Sequence, residues 1–253
     1  MRWDLKIKLL LTLLFLLWSA IVSMSLSQGR IVGVQEGDYF RYADFEVNWT
    51  STDPNATFPP HGEEWIVEMN KTKWMSLSVQ NISHTFISFQ RVKHFEDETE
   101  KIDEGIVDVD TGLGEMGFFA ISANLDANDS VYTGIAYSAW KINRTTIRAY
   151  PDSSRETNHL NMSREYLVDT NGKIRVSKNY YWDRTSGILV ERSYEEIEQI
   201  GEYITIVEIS YRLVESNVWV VPEFSAYTLI ITLIVTTIGI FLLMLTFFSE
   251  NKL

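Results

Sequence analysis

The chain contains no cysteine. Thiol nucleophiles, thiolate metal ligands and disulfides are therefore closed to it, and its fold has to be held by an apolar core and hydrogen bonds. Histidine is nearly as scarce. His61, His84, His94 and His159 form no pair at metal-ligand or helical spacing, so no zinc site is expected. A Gly-x-Ser-x-Gly elbow, a phosphate-cradling glycine loop and a dinucleotide fingerprint are all missing, which removes the common hydrolase, kinase and dehydrogenase signatures. Neither a metal nor a cofactor is expected. The last absence is one of charge: Ala226 to Phe248, AYTLIITLIVTTIGIFLLMLTFF, has no charged side chain.

At about 1.5 Å rise per residue, a helix over 226–248 is roughly 34 Å long, against about 30 Å for a hydrocarbon core. Its threonines, Thr228, Thr232, Thr236, Thr237 and Thr246, can bond back to helix carbonyls, so they do not oppose insertion. A single transmembrane helix is expected over 226–248, with 249–253 as a cytoplasmic stub. The opposite end, MRWDLKIKLLLTLLFLLWSAIVSMSLSQ, places Arg2, Lys6 and Lys8 ahead of an apolar run and small residues at Ser23, Ser25 and Ser27. That is the pattern of a secretory signal peptide, expected over 1–27. Export followed by a stop segment predicts a single-pass type I cell-membrane protein whose extracellular part is 28–221.

Setting aside Arg2, Lys6, Lys8 and Asp4 in the leader, with Lys252 and Glu250 cancelling in the tail, takes the net charge from −12 to −14. Such a surface repels nucleic acid, which is not expected as a partner. Seven Asn-x-Ser/Thr sequons, at Asn48, Asn55, Asn70, Asn81, Asn128, Asn143 and Asn161, all fall in the expected extracellular part. N-linked glycans and the lipid bilayer are the expected partners. Dense sequons, an acidic surface and no cysteine together fit an archaeal envelope protein.

Ahead of the apolar span stand Pro222, Glu223 and Phe224. They resemble the Pro-Glu-Phe sorting signal of archaeal surface proteins, in which a short motif, a hydrophobic span and a basic tail are read by a sortase-like membrane enzyme. The resemblance implies a processed junction over 222–225, although the tail here carries one lysine, Lys252. Pro222 is equally suited to end a strand and open a helix.

Between the two ends the text alternates at the strand period. Strands are expected over 39–49, over 65–80 with a break at Asn70-Lys71, and over 84–94, with Asn81-Ile82-Ser83 linking the last two. Further strands are expected over 118–123, 131–137, 140–150, 156–166, 173–182, 188–194 and 202–213. Residues 53–63 and 126–130 are loops by their turn residues. The acidic run 96–104 is a solvated edge or turn, and Asp183–Gly187 is a hairpin connection with Gly187 free to take positive φ. Helix is a minor component. The fold class is mainly β: a single antiparallel curved sheet, half-barrel or sandwich.

The hairpin Tyr180-Tyr181-Trp182-Asp183…Gly187-Ile188-Leu189-Val190-Glu191 is similar to one found in uncharacterised archaeal secreted proteins and in LolA-like lipoprotein carriers. That resemblance implies a cupped β fold and transfers no functional residue.

Chemical candidates are thin. Asp108-Val109-Asp110-Thr111-Gly112 with Glu115, and Asp126–Asp129, have acidic-loop character but do not complete a calcium-loop pattern, and plain turns are expected. Glu63-Glu64 and Glu195-Glu196 make poor catalytic pairs, because neighbours on a strand point to opposite faces. Trp49, Trp65, Trp74, Trp140, Trp182 and Trp219 are expected as core, although sugars and lipids also bind aromatic walls. The leading expectation is a non-enzymatic, glycosylated, anchored envelope protein for surface architecture or recognition, with envelope proteins as partners. The alternatives are a tethered half-barrel binding an apolar ligand and an extracellular hydrolase.

Overall fold

The computed structural model describes residues 29–135, 139–150, 154–168 and 172–218, together with position 237 and without the side chain of His61. Two compact units, Met1–Asn217 and Val218–Leu253, divide the chain. The leader 1–27, the junction 222–225, the apolar run 226–248 (Thr237 excepted) and the stub 249–253 lie outside the described residues. Among the described residues no helix is long and apolar enough to cross a membrane.

The described part is mainly β, with nine antiparallel strands in one open sheet. They are β1 (Tyr39–Ser51), β2 (Thr72–Ser83), β3 (Phe86–Phe95), β4 (Glu100–Asp108), β5 (Arg144–Ala149), β6 (Ser154–Leu167), β7 (Gly172–Asp183), β8 (Leu189–Ile200) and β9 (Tyr203–Ser216). Their order in the sheet is β4-β3-β2-β1-β9-β8-β7-β6-β5. Two meanders, β1 to β4 and β5 to β9, are thus joined by the pairing of β1 with β9. The architecture is one sheet and not two packed sheets.

Each strand has an inner face, defined here as the one on which α1 (Glu64–Lys71) and a long connection pack. On β1 the parity changes midway. Asp44 takes φ of 53° in a bulge between Ala43 and Glu46, so two residues oppose one and the side-chain phase flips. Phe40 and Tyr42 therefore share the inner face with Phe45, whereas simple alternation puts them on opposite faces. Tyr211 of β9 meets both groups, with ring centroids 5.9 Å from Tyr42 and 5.0 Å from Phe45.

The strands β4 and β5 are consecutive in sequence but lie at opposite edges. The connection 109–143 consequently has to cross the sheet, and it does so over the inner face. Phe118 stacks on Tyr180 at 4.6 Å, Phe119 meets Tyr42 edge-on at 6.2 Å, and fully buried Trp182 donates its indole N–H to the Phe118 carbonyl at 2.8 Å. Backbone bonds from Ile121 to Gly187 and from Leu189 to Phe119 tie the segment to the β7–β8 hairpin. Gly187 has φ of +73°, and a Cβ there would lie 2.1 Å from the Ile121 carbonyl oxygen, so only glycine permits this approach.

Several expected strands are corrected. Residues 65–71 form α1 and not a strand, despite the β-branched Ile66 and Val67. Ile66 and Met69, three apart, put one turn of apolar surface onto Tyr194, Val207 and Ile209, and tertiary burial outweighs local β propensity. Asn81-Ile82-Ser83 belongs to β2, and the turn falls one step later at His84, where φ is 56°. Residues 118–123 and 131–135 are not strands, because the crossing segment makes only isolated bridges to Ile188 and Lys141. The acidic run 96–104 becomes a turn and then the outermost strand β4, where charge discourages further strand pairing.

Candidate functional site

Between α1 and the crossing segment, the inner face of β6, β7 and β8 is left partly open. Sheet register decides what stands there. Met162 pairs across to Lys178 and Lys178 to Tyr194, and one step along Arg164 pairs to Val176 and Val176 to Glu196. One step the other way lie Leu160, Tyr180 and Arg192. Lys178 is accordingly the diagonal neighbour of both Arg164 and Arg192, within about 7–8 Å in an antiparallel sheet. Met162, Arg164, Tyr166, Val176, Lys178 and Tyr194 line a pocket of about 240 Å³, and Trp140 of the crossing segment contributes a further wall.

The walls are aromatic and the floor carries positive charge. The Lys178 ammonium lies 5.6 Å from the Tyr194 ring centroid, and the Arg192 guanidinium 5.5 Å from that of Tyr180. Trp65 of α1 braces Tyr194 edge-on at 5.3 Å. Among the described residues none of Arg164, Lys178 and Arg192 has a carboxylate oxygen within 4 Å. Glu196, on the same face, accepts the Tyr194 hydroxyl hydrogen. Burial first, and then the charges of Arg192 and Arg164, hold the Lys178 ammonium below the usual lysine range.

A larger pocket of about 530 Å³ lies where residues 29–31 meet the crossing segment. Most of its polar groups are committed to the fold: Arg30 donates through one Nη to the Ser130 carbonyl and pairs with Asp110, while its other Nη is buried without a hydrogen-bond partner among the described residues; Ser122 bonds Ile31, and Asp129 accepts from the Asp126 amide.

The residues singled out by sequence are scattered. Asn48 is on β1, Asn55 in the following loop, Asn70 in the last turn of α1, Asn81 late in β2, Asn128 in a turn with φ of 75°, Asn143 just ahead of β5, and Asn161 on β6; all seven are exposed. Only Asn143 and Asn161 are brought together. The Asn143 side-chain oxygen accepts from the Asn161 amide, and the Asn161 side-chain nitrogen donates to Asn179 at 2.8 Å. Pro222, Glu223 and Phe224 lie outside the described residues, as does Trp219.

Asp108 is occupied by its own turn, accepting from Thr111 at 2.6 Å and from the Asp110 amide at 3.0 Å. Among the described residues no group of three or more His, Asp or Glu side chains is placed to hold a metal. Glu195 and Glu196 are split between faces, the first beside Arg175 and the second with Tyr194. Trp182 is core, whereas Trp74 sits outside, stacked on His94 at 4.8 Å under Arg41.

The basic cluster is absent from the sequence-level candidates. Its one local signal is Lys178, which lies in phase with Val176, Tyr180 and Trp182 on an otherwise apolar strand face. No family model matches this sequence, and comparison with curated proteins finds no match.

Proposed function

We propose that the chain is an exported, N-glycosylated envelope protein tethered by 226–248, and that its β domain is a non-enzymatic binding module. In this reading the open sheet is a half-barrel of the LolA-like kind, and Pro222-Glu223-Phe224 marks the junction to the anchor. Five bulges or register shifts within β1, β2 and β7 pairings support a cupped sheet, because each adds local bend and twist. The exposed position of every sequon asparagine supports access by a glycan-transferring enzyme.

The observation that carries the binding reading is the pocket beside α1. A sheet face this long has to be covered, yet α1 and the crossing segment cover it at two places and leave Tyr166, Lys178 and Trp140 around an open hollow. Concave sites with aromatic walls and a few convergent polar groups are the usual form of a ligand site. Native mass spectrometry of the protein extracted from its own membranes tests the whole reading. The expected masses are those of a chain beginning near residue 28, carrying several glycans and a small co-purifying molecule. Recovery of a bare chain with its leader intact defeats the proposal.

A further inference from the structure

The inner face treats its cations in two ways. On β3 and β4 each has an acid: Arg91 makes two bonds to Asp103, both 2.7 Å, and Lys93 and Lys101 both donate to Glu68 of α1. On β6 to β8, Arg164, Lys178 and Arg192 gather diagonally with no carboxylate oxygen within 4 Å among the described residues, and Glu196, diagonal to Lys178 on the same face, holds the Tyr194 hydroxyl. Sequence composition makes this unexpected, since acids outnumber bases 34 to 22. Like charges at such spacing repel, and a partly buried ammonium loses hydration; Glu196 is one acid against three cations and offsets this only in part, so Lys178 stays below the usual lysine range.

Resting on the binding reading above, we propose that the pocket takes an amphipathic organic anion, with a carboxylate, phosphate ester or sulfate ester between Lys178 and Arg164. Its apolar body lies against Met162, Tyr194 and Trp140. Two cations diagonal to one another suit an anionic headgroup that accepts from both, and charge-assisted bonds of this kind are the strong ones. Size sets the body. At ~30 Å³ per water, the pocket of about 240 Å³ holds roughly eight waters, or a ligand of about a dozen heavy atoms. A headgroup with a stem of about six carbons fits, whether as a free molecule or as the near end of a lipid.

Hexyl phosphate and hexanol are the probes, titrated calorimetrically into the full chain in phosphatidylcholine nanodiscs, with empty discs subtracted. Hexyl phosphate is expected to bind at least about tenfold more tightly than hexanol, one charge-assisted contact being worth about that factor. Lys178→Met and Arg164→Met are each expected to weaken the phosphate about tenfold while leaving hexanol unchanged, and the melting temperature of both variants stays at or above that of the parent. Displacement by soluble dihexanoyl phosphatidic acid assigns the anion to a lipid, and failure to displace assigns it to a free small molecule. Equal binding of the two probes, with both variants silent, overturns the anion and leaves an apolar site standing. Binding of neither probe by the folded parent overturns the binding reading itself.

Discussion

The two halves of one sheet face behave differently. Under the crossing segment, Phe40, Tyr42, Leu77, Phe89 and Trp182 are all essentially inaccessible to water, and two buried hydroxyls there are held by backbone: that of Tyr42 donates to the Leu189 carbonyl at 2.8 Å, and that of Tyr132 to the Ala120 carbonyl at 2.8 Å. Across β6 to β8 the same face keeps a hollow whose cations Arg164 and Lys178, among the described residues, have no carboxylate oxygen within 4 Å. The first half is built for cohesion. The second gives up cohesion for an exposed chemical surface, the exchange expected of a site that has to receive something.

The largest effect that separates the halves belongs to Trp182→Ala, which removes a buried indole and its bond to Phe118. It is expected to cost about 3–5 kcal/mol in denaturant unfolding. A cost near that of a surface substitution breaks the contrast.

Next in size is a pair of glycines. Gly187 and Gly201 both take positive φ, at +73° and +59°, but only Gly187 faces backbone, with the Ile121 oxygen 2.1 Å from a built Cβ. Gly201→Ala is expected to cost about 1 kcal/mol from conformation alone. Gly187→Ala adds the displacement of the crossing segment and costs about 2–3 kcal/mol or more. Equal values in chemical denaturation show that the segment is not held against the hairpin.

A smaller effect tests the paired cations. Burial pushes the Glu68 carboxyl up, but hydrogen bonds and charge from Lys101 and Lys93 outweigh it and hold the group below its ordinary 4.5. A depressed carboxylate contributes stability that is fully present above pH 4.5 and is lost as pH falls through the folded value. After solvent screening the contribution is no more than about 1 kcal/mol. Glu68→Gln is thus expected to differ from the parent near pH 7 and to converge with it in acid, as read by melting temperature against pH. Parallel curves remove the ion-pair account of α1.

The smallest shift has the opposite sign. Lys178 is held below the usual lysine range by burial and by Arg192 and Arg164, so its charged form is disfavoured in the fold. That penalty is present at neutral pH and relieved as pH rises towards the unfolded lysine value. Lys178→Met is expected to stabilise the domain by a few tenths of a kcal/mol, up to about 1, seen as a raised melting temperature. Destabilisation makes Lys178 a structural residue.

Much of the sheet was legible in the sequence, because strands with one buried face alternate at period two. The stretches 173–182 and 202–213 and the Asp183–Gly187 turn read correctly on that basis, 188–194 covers only the first half of β8, and the mainly β antiparallel class holds, while a sandwich, one of the architectures the sequence allowed, is not formed. The misreadings share a cause. Trp65 to Lys71 is rich in strand-forming side chains, yet it is helical because Ile66 and Met69 find apolar partners on β8 and β9 that are distant in sequence. Residues 118–123 look like a strand, but they fill a core while their backbone bonds go to a hairpin. Of the site, only Lys178 in phase with Tyr180 and Trp182 gave a local sign. Arg164 and Arg192 lie on other strands, and no spacing along the chain relates them.

Residue order alone determined which segments extend, where the β7–β8 turn falls, that no disulfide supports the fold, and that its surface is acidic. Those properties depend on side-chain chemistry and on neighbours one or two positions away. Tertiary structure alone decided that β1 lies against β9, that the connection 109–143 crosses the inner face, and that three cations from β6, β7 and β8 converge. Register between strands is set by the packing of whole faces, and a shift of one residue would have sent each of those cations to the opposite side.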